Sequence, residues 1–192
     1  AFLRYRHHQW SFTPESTQKS RECLEDAIRL DPDFALPYVG LADGFLASAL
    51  VGAAPAQEAM PHARQLARRA LELDPDLPEG HGMLGVVAAL HDLDWPEATR
   101  RFERAMAQEP VHWHLRLWYL GFYLLPLGRS DEAVRQGRLG IGDNPLSQIC
   151  WLELGQAYAS GGDDEEALAA FRKSRELDPG FWFADACASV LH

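Results

Sequence analysis

Lysine is nearly missing from this chain: it occurs twice in 192 residues, against sixteen arginines. The formal charge is −10, a sign that repels nucleic-acid phosphates and anionic lipid unless basic residues gather on one face. Only three cysteines occur, Cys23, Cys150 and Cys187, too few and too far apart for a disulfide framework; they read as small core residues of a reducing, cytoplasmic compartment. No apolar run approaches the roughly 18 residues of a membrane helix, and the richest stretch, Trp113 to Leu127, is broken by Arg116, Gly121 and Pro126. A secretory leader is not recognisable in Ala1–His8, and the start at Ala rather than Met suggests a fragment of a longer protein. There is no Gly-rich phosphate loop, no Ser or Cys nucleophile with a matching base and no insulated carboxylate pair, so no catalytic residue is assigned. His7-His8 and His112-x-His114 lack the companions of a structural metal site, and no metal or other cofactor is expected.

What the chain has is periodicity. Ala27-Ile28-Arg29-Leu30-Asp31-Pro32 returns as Ala70-Leu71-Glu72-Leu73-Asp74-Pro75 and as Ser174-Arg175-Glu176-Leu177-Asp178-Pro179, with looser copies ending at Pro110 and Pro145. The five prolines are separated by 43, 35, 35 and 34 residues. Before each proline runs a helical stripe of small and bulky residues, such as Ala98, Phe102 and Ala105, or Ala167, Phe171 and Ser174. Earlier in each unit lies a second apolar helix: Tyr38-Leu41-Ala42-Phe45, His81-Leu84-Gly85-Ala88 and Trp151-Leu154-Gly155-Tyr158, whose central small residue admits a neighbouring helix. Asp94 with Glu97, Asp163 with Glu166 and Asp76 with Glu79 read as capping boxes, and Gly128 and Gly161-Gly162 as helix ends.

These residues resemble the tetratricopeptide repeat (TPR) family, whose unit of 34 residues has Trp, Leu-Gly and Tyr in its first helix and Ala, Phe and a terminal Pro in its second. Trp151, Leu154, Gly155, Tyr158, Ala167, Phe171 and Pro179 carry nearly all of that pattern. The resemblance implies an all-α, right-handed superhelical solenoid of five stacked antiparallel helix pairs plus a short C-terminal helix. The units fall at residues 1–32, 33–75, 76–110, 111–145 and 146–179, with 180–192 as a capping or truncated helix. The first is divergent. The second carries about nine extra residues around Leu50 to Gln57, read as an inter-helix insertion, and the fourth has Gly137 and Gly140 where Phe and Ala are expected, predicting a soft second helix. Asp31-Pro32-Asp33-Phe34-Ala35, Asp94-Trp95-Pro96-Glu97-Ala98 and Pro145-Leu146-Ser147 also look like the TPR arms behind winged-helix regulators, nucleotide cyclases or kinases of bacterial signalling proteins.

In that family the first helices line a concave groove. The facing positions here are Leu36, Val39 and Asp43; Glu79, Gly82 and Val86; His114, Leu117 and Gly121; Ile149, Leu152 and Gln156. Being mostly apolar or small, they predict a protein partner presenting an apolar peptide or helix, or else cover by neighbouring helices or another segment of the same polypeptide. The Lys, Arg and Asn clamp of chaperone-binding TPRs is absent: Leu36, Val39, Gly40, Glu79 and Met83 stand there. Arginine clusters (Arg64, Arg68, Arg69; Arg100, Arg101, Arg104; Arg135, Arg138) lie in second helices among acids and read as a solvated outer face. The function these features imply is a non-catalytic interaction scaffold, with no nucleic-acid or membrane partner for this segment. Phe181-Trp182-Phe183 opens either a closing helix or half of a sixth unit, and Phe181 and Trp182 are the candidates for self-association into a homodimer.

Overall fold

The repeated Pro forces each second helix to end, because its ring occupies the space of the preceding turn and it has no N–H to give. In the computed structural model, which describes the backbone of residues 14–191 and side chains from Thr17, ten helices follow this punctuation, with no strand among the described residues. They are α1 (Pro14–Leu30), α2 (Leu36–Leu50), α3 (Ala56–Leu73), α4 (Pro78–Val87), α5 (Trp95–Met106), α6 (Trp113–Tyr119), α7 (Ser130–Asp143), α8 (Gln148–Gly161), α9 (Asp164–Leu177) and α10 (Trp182–Ser189). Single π turns, Ala88–Asp92 and Leu120–Leu124, extend α4 and α6. The chain divides into two compact units, Ala1–Ala107 and Gln108–His192. Within the first, each helix from α1 to α5 packs on the next, and α2 also touches α4; within the second, α6 to α10 pack in the same serial way. The first helix expected of the first repeat, with His7 and His8, lies outside the described residues.

The Leu-Asp-Pro string has a mechanical explanation. The amides of Asp31, Asp74, Asn144 and Asp178 close the last helical turn onto Ala27, Ala70, Gly140 and Ser174. Their carbonyls then accept from Phe34, Leu77, Ser147 and Phe181, three residues on. The carboxylates of Asp31, Asp74 and Asp178 reach across the proline to the amides of Asp33, Asp76 and Gly180 at 3.2, 3.2 and 3.0 Å. One acidic side chain thus satisfies an amide that the broken helix cannot. The proline carbonyl is satisfied from the next helix, six residues along, by three different donors: Tyr38 Oη to Pro32 at 3.0 Å, His81 Nε2 to Pro75 at 3.0 Å, and Trp151 Nε1 to Pro145 at 2.9 Å. Arg101 donates to His81 Nδ1 at 3.1 Å, so the imidazole hydrogen sits on Nε2, facing the carbonyl.

Packing between the two helices of a pair rests on one small and one large residue. A Cβ on Gly85 would lie 2.9 Å from the Phe102 ring, and one on Gly155 only 2.4 Å from that of Phe171. The fourth pair reverses the assignment: Leu120 is fully buried, and a Cβ on Gly137 would lie 3.3 Å from Leu120 Cδ1 and 3.1 Å from Leu154 Cδ1. The two glycines read as a soft spot therefore lie in a continuous 14-residue helix, where Gly137 admits the leucines.

Three sequence expectations need correction. Asp94 caps α5, accepting from the Glu97 amide at 3.0 Å, but Asp163 makes no such bond and Leu77, not Asp76, is the N-cap residue of α4. Asp164, Glu165 and Glu166 instead place negative charge in the first turn of α9, where the helix dipole favours it. The extra residues of the second repeat do not form a long loop: only 51–55 connect α2 to α3, and α3 extends to 18 residues. Helical backbone satisfies its own polar groups, which an equal length of loop would leave to solvent. Gly128 and Gly162 take the left-handed conformation, at φ +68° and +84°, as their positions require.

Candidate functional site

A docking face needs side chains that neighbouring helices leave uncovered. In the first unit, Leu36, Asp43 and Glu79 remain partly exposed, whereas Val39, Gly82 and Val86 are buried. In the second, His114, Gly121 and Gln156 are partly exposed, whereas Leu117, Ile149 and Leu152 are buried. The physical reason is plain in α4, where every residue from Gly80 through Val87 is buried, as are Ala88 and Ala89 in the π turn. A first helix packed on several neighbours buries more than a single stripe, so removing that stripe from the sequence does not leave an exposed remainder. The face open to a partner is therefore narrower and more polar than the twelve positions implied.

His114 belongs to an aromatic run: its ring lies 4.6 Å from that of Trp118 and 5.6 Å from that of Trp113. Burial, reinforced by neighbouring His112, holds its pKa down to about 3, so the ring is neutral at physiological pH. Gln156 donates through Nε2 to Cys187 Sγ at 3.4 Å, tying α8 to α10. Leu152 is covered by a cluster with Ala167, Phe171 and Ala184, against which Phe181, Cys187, Ala188 and Leu191 pack. Thus α10 closes the apolar end of α8 and α9, and the two self-association candidates part company: Phe181 turns into this cluster, while Trp182 is 66% exposed.

Sequence reasoning missed Glu153, which shares a helix face with Ile149 and Gln156. Its Oε2 is buried without a hydrogen-bond partner, and a Cβ on Gly121 would lie 2.9 Å from it. Burial pushes its carboxyl pKa up to about 8. A carboxylate inside Trp151-Leu152-Glu153-Leu154-Gly155 was the available signal, since that string otherwise reads as core. The first unit also holds a cavity of about 850 Å³ between α1, α2 and α3, bordered by Arg21, Tyr38, Arg64, Arg68 and Arg69. Three of these arginines are engaged by carboxylates, Arg21 with Glu25, Arg64 with Asp92 and Arg69 with Glu72.

The remaining chemistry is structural. Arg100 and Arg101 both bind Glu97, Arg104 binds Asp76, and Arg138 lies over Tyr158, the pairing expected of a solvated helix face. The described cysteines are free, and burial pushes the Cys150 thiol up to about 11, far from a reactive thiolate. Among the described residues no cluster of three or more His, Cys, Asp or Glu is arranged to hold a metal ion, and no helix is long and apolar enough to cross a membrane.

Residues 149–181 match the family model described as Tetratricopeptide repeat. Transcriptional regulator HilA of Salmonella typhimurium is 29% identical over 134 residues, which make up 70% of this chain and 24% of that regulator. The chain thus spans about a quarter of its relative's length. Among solved structures, a human IFIT1 dimer with m7Gppp-AAAA aligns with a TM-score of 0.76 at 17% identity, covering 93% of this chain and 43% of that one. YrrB, described as a TPR protein with an unusual peptide-binding site, aligns at 0.54 and 23% identity over 89% of this chain and 82% of its own.

Proposed function

As a tetratricopeptide repeat protein, this chain is, we propose, a non-catalytic protein-interaction scaffold that holds a peptide or helix on its first-helix faces. The observation that carries this reading is the partly exposed set Leu36, Asp43 and Glu79 in one unit, and His114, Gly121 and Gln156 in the other, interleaved with buried apolar residues of the same helices. Such a surface offers contact area with a few polar fixes and no reacting group. The peptide-binding site named for YrrB is in keeping with it. The setting we propose is the regulatory region of a larger bacterial signalling or transcription-regulating protein, acting in the cytoplasm. The match to HilA over a quarter of that regulator's length supports this setting. Either an independent partner or another segment of the same polypeptide can supply the peptide.

The discriminating variants belong at partly exposed positions, because Arg at Val86 or Leu117 would bury an unpaired charge and unfold the unit. Leu36→Arg and Gln156→Arg should each leave the melting transition within a few degrees of wild type. At least one should lower binding of peptides selected from a random library by tenfold or more. Undiminished binding by both variants refutes the reading.

A second reading, self-association through the terminal helix, has its own observation: Trp182, Phe183 and Val190 are 66%, 41% and 83% exposed. It predicts a mass that rises with concentration in sedimentation equilibrium and falls back to the monomer on Trp182→Ser. A wild-type chain that stays monomeric at high concentration removes it.

A further inference from the structure

Glu153 is a half-buried carboxyl group whose inner oxygen the fold desolvates without compensating; burial keeps it largely protonated in the free chain, and a cation bound beside it would draw off that proton. Its Oε2 has no hydrogen-bond partner, and the floor beneath it is the bare backbone of Gly121. Burying an acid without a partner is costly, so a core position would favour an apolar residue of the same size. Several cations of the same unit are engaged elsewhere. Arg116 donates to Asp143 at 3.3 Å and to Gln136 at 3.0 Å, Arg138 donates to Tyr158, and Arg175 pairs with Asp185. Neutral His114 contributes no compensating charge.

Resting on the docking reading above, we propose that Glu153 is the specificity determinant of the second unit's face, selecting a peptide that presents a Lys or Arg side chain. An incoming ammonium or guanidinium supplies both the missing hydrogen bond and the countercharge, whereas an amide or hydroxyl supplies only the first. Gly121 is what makes the position usable, because a side chain there would collide with the carboxylate. The surface is thus the electrostatic opposite of a carboxylate clamp. Placed among apolar neighbours, the ion pair works at a lower effective dielectric than on open surface, which strengthens the discrimination.

The test uses the whole chain and a positional-scanning library of nonapeptides, acetylated and amidated so that no terminal charge contributes. Wild type should favour Lys or Arg at one fixed position over norleucine by about tenfold or more, the scale of a charge-assisted hydrogen bond. Glu153→Gln, which keeps the shape and removes the charge, should bring that ratio to within twofold of unity while still retaining apolar peptides. Glu153→Asp should keep the basic preference, and circular dichroism checks that both variants fold. Peptides selected without any basic preference overturn the inference and leave the docking reading standing, as does a preference that survives Glu153→Gln. Failure of wild type to select any peptide overturns both.

Discussion

Replacing Gly155 by Ala should destabilise this protein, although alanine is the better helix former. The Cβ would sit 2.4 and 2.5 Å from two atoms of the Phe171 ring, well inside contact distance. That ring is only 2% exposed and is held by Leu152, Ala167 and Ala184, so it has no free direction in which to turn. Relieving the Gly backbone gains about 1 kcal/mol, while overpacking a tight core costs about 1–3 kcal/mol, so the balance is a loss. Gly140→Ala makes the same chemical change one helix earlier, where the new Cβ would meet Cys150 Sγ at 3.9 Å and Leu117 Cδ2 at 4.0 Å, ordinary contact distances. There the helix gain stands alone, and stability rises by up to about 1 kcal/mol. Urea unfolding followed by far-ultraviolet circular dichroism should move the two midpoints in opposite directions at unchanged slope. Adding Phe171→Leu to Gly155→Ala should cost less than the sum of the single changes. If both glycine variants shift the midpoint the same way, the reasoning about close approach is wrong.

The reversed pair in the second unit predicts that Leu120→Gly opens a cavity costing about 2–5 kcal/mol and that Gly137→Phe clashes, while the double variant is more stable than either single one; melting curves of the three decide it, and a double variant no better than the worse single one contradicts it. Leu93 stands at φ +54° in the place that Gly128 and Gly162 take in later units, and it is 68% exposed, so Leu93→Gly should stabilise by up to about 1 kcal/mol, with any destabilisation counting against strain at that residue. Stability should also depend on pH from both sides. Glu153 is raised from 4.5 to about 8, so its contribution is complete below 4.5 and is lost as pH rises toward 8; His114 is lowered from 6.5 to about 3, so its contribution is complete above 6.5 and is lost as pH falls toward 3. Each slope is at most about 1.4 kcal/mol per pH unit, reduced where the side chain still meets water. From pH 6.5 to 8, above the range in which the His114 contribution changes, urea midpoints should decline for wild type and stay flatter for Glu153→Gln, and equal slopes would refute the assignment.

The repeat was legible because its punctuation is chemical as well as periodic. Pro stops a helix wherever it falls, and the Asp before it satisfies an amide locally, so both roles survive without tertiary context. The donor opposite the proline carbonyl was only partly legible, since Tyr38, His81 and Trp151 share a function but not a residue type. Leu93 hides a turn that glycine marks elsewhere. The docking face was the least readable part. Burial of Val86 and Leu152 depends on how many helices pack around a first helix, which one helix's periodicity does not encode. Glu153 was passed over for the same reason, as its lack of a partner is a property of the packed unit.

The most direct test of the scaffold reading is to find where a bound peptide lies. A library-selected peptide carrying photo-leucine at each position in turn, irradiated on the intact chain and mapped by mass spectrometry, should leave adducts beside Leu36, Asp43 and Glu79, or beside His114, Gly121 and Gln156. Adducts confined to the arginine-bearing faces of the second helices, or to Trp182 and Phe183, would contradict it.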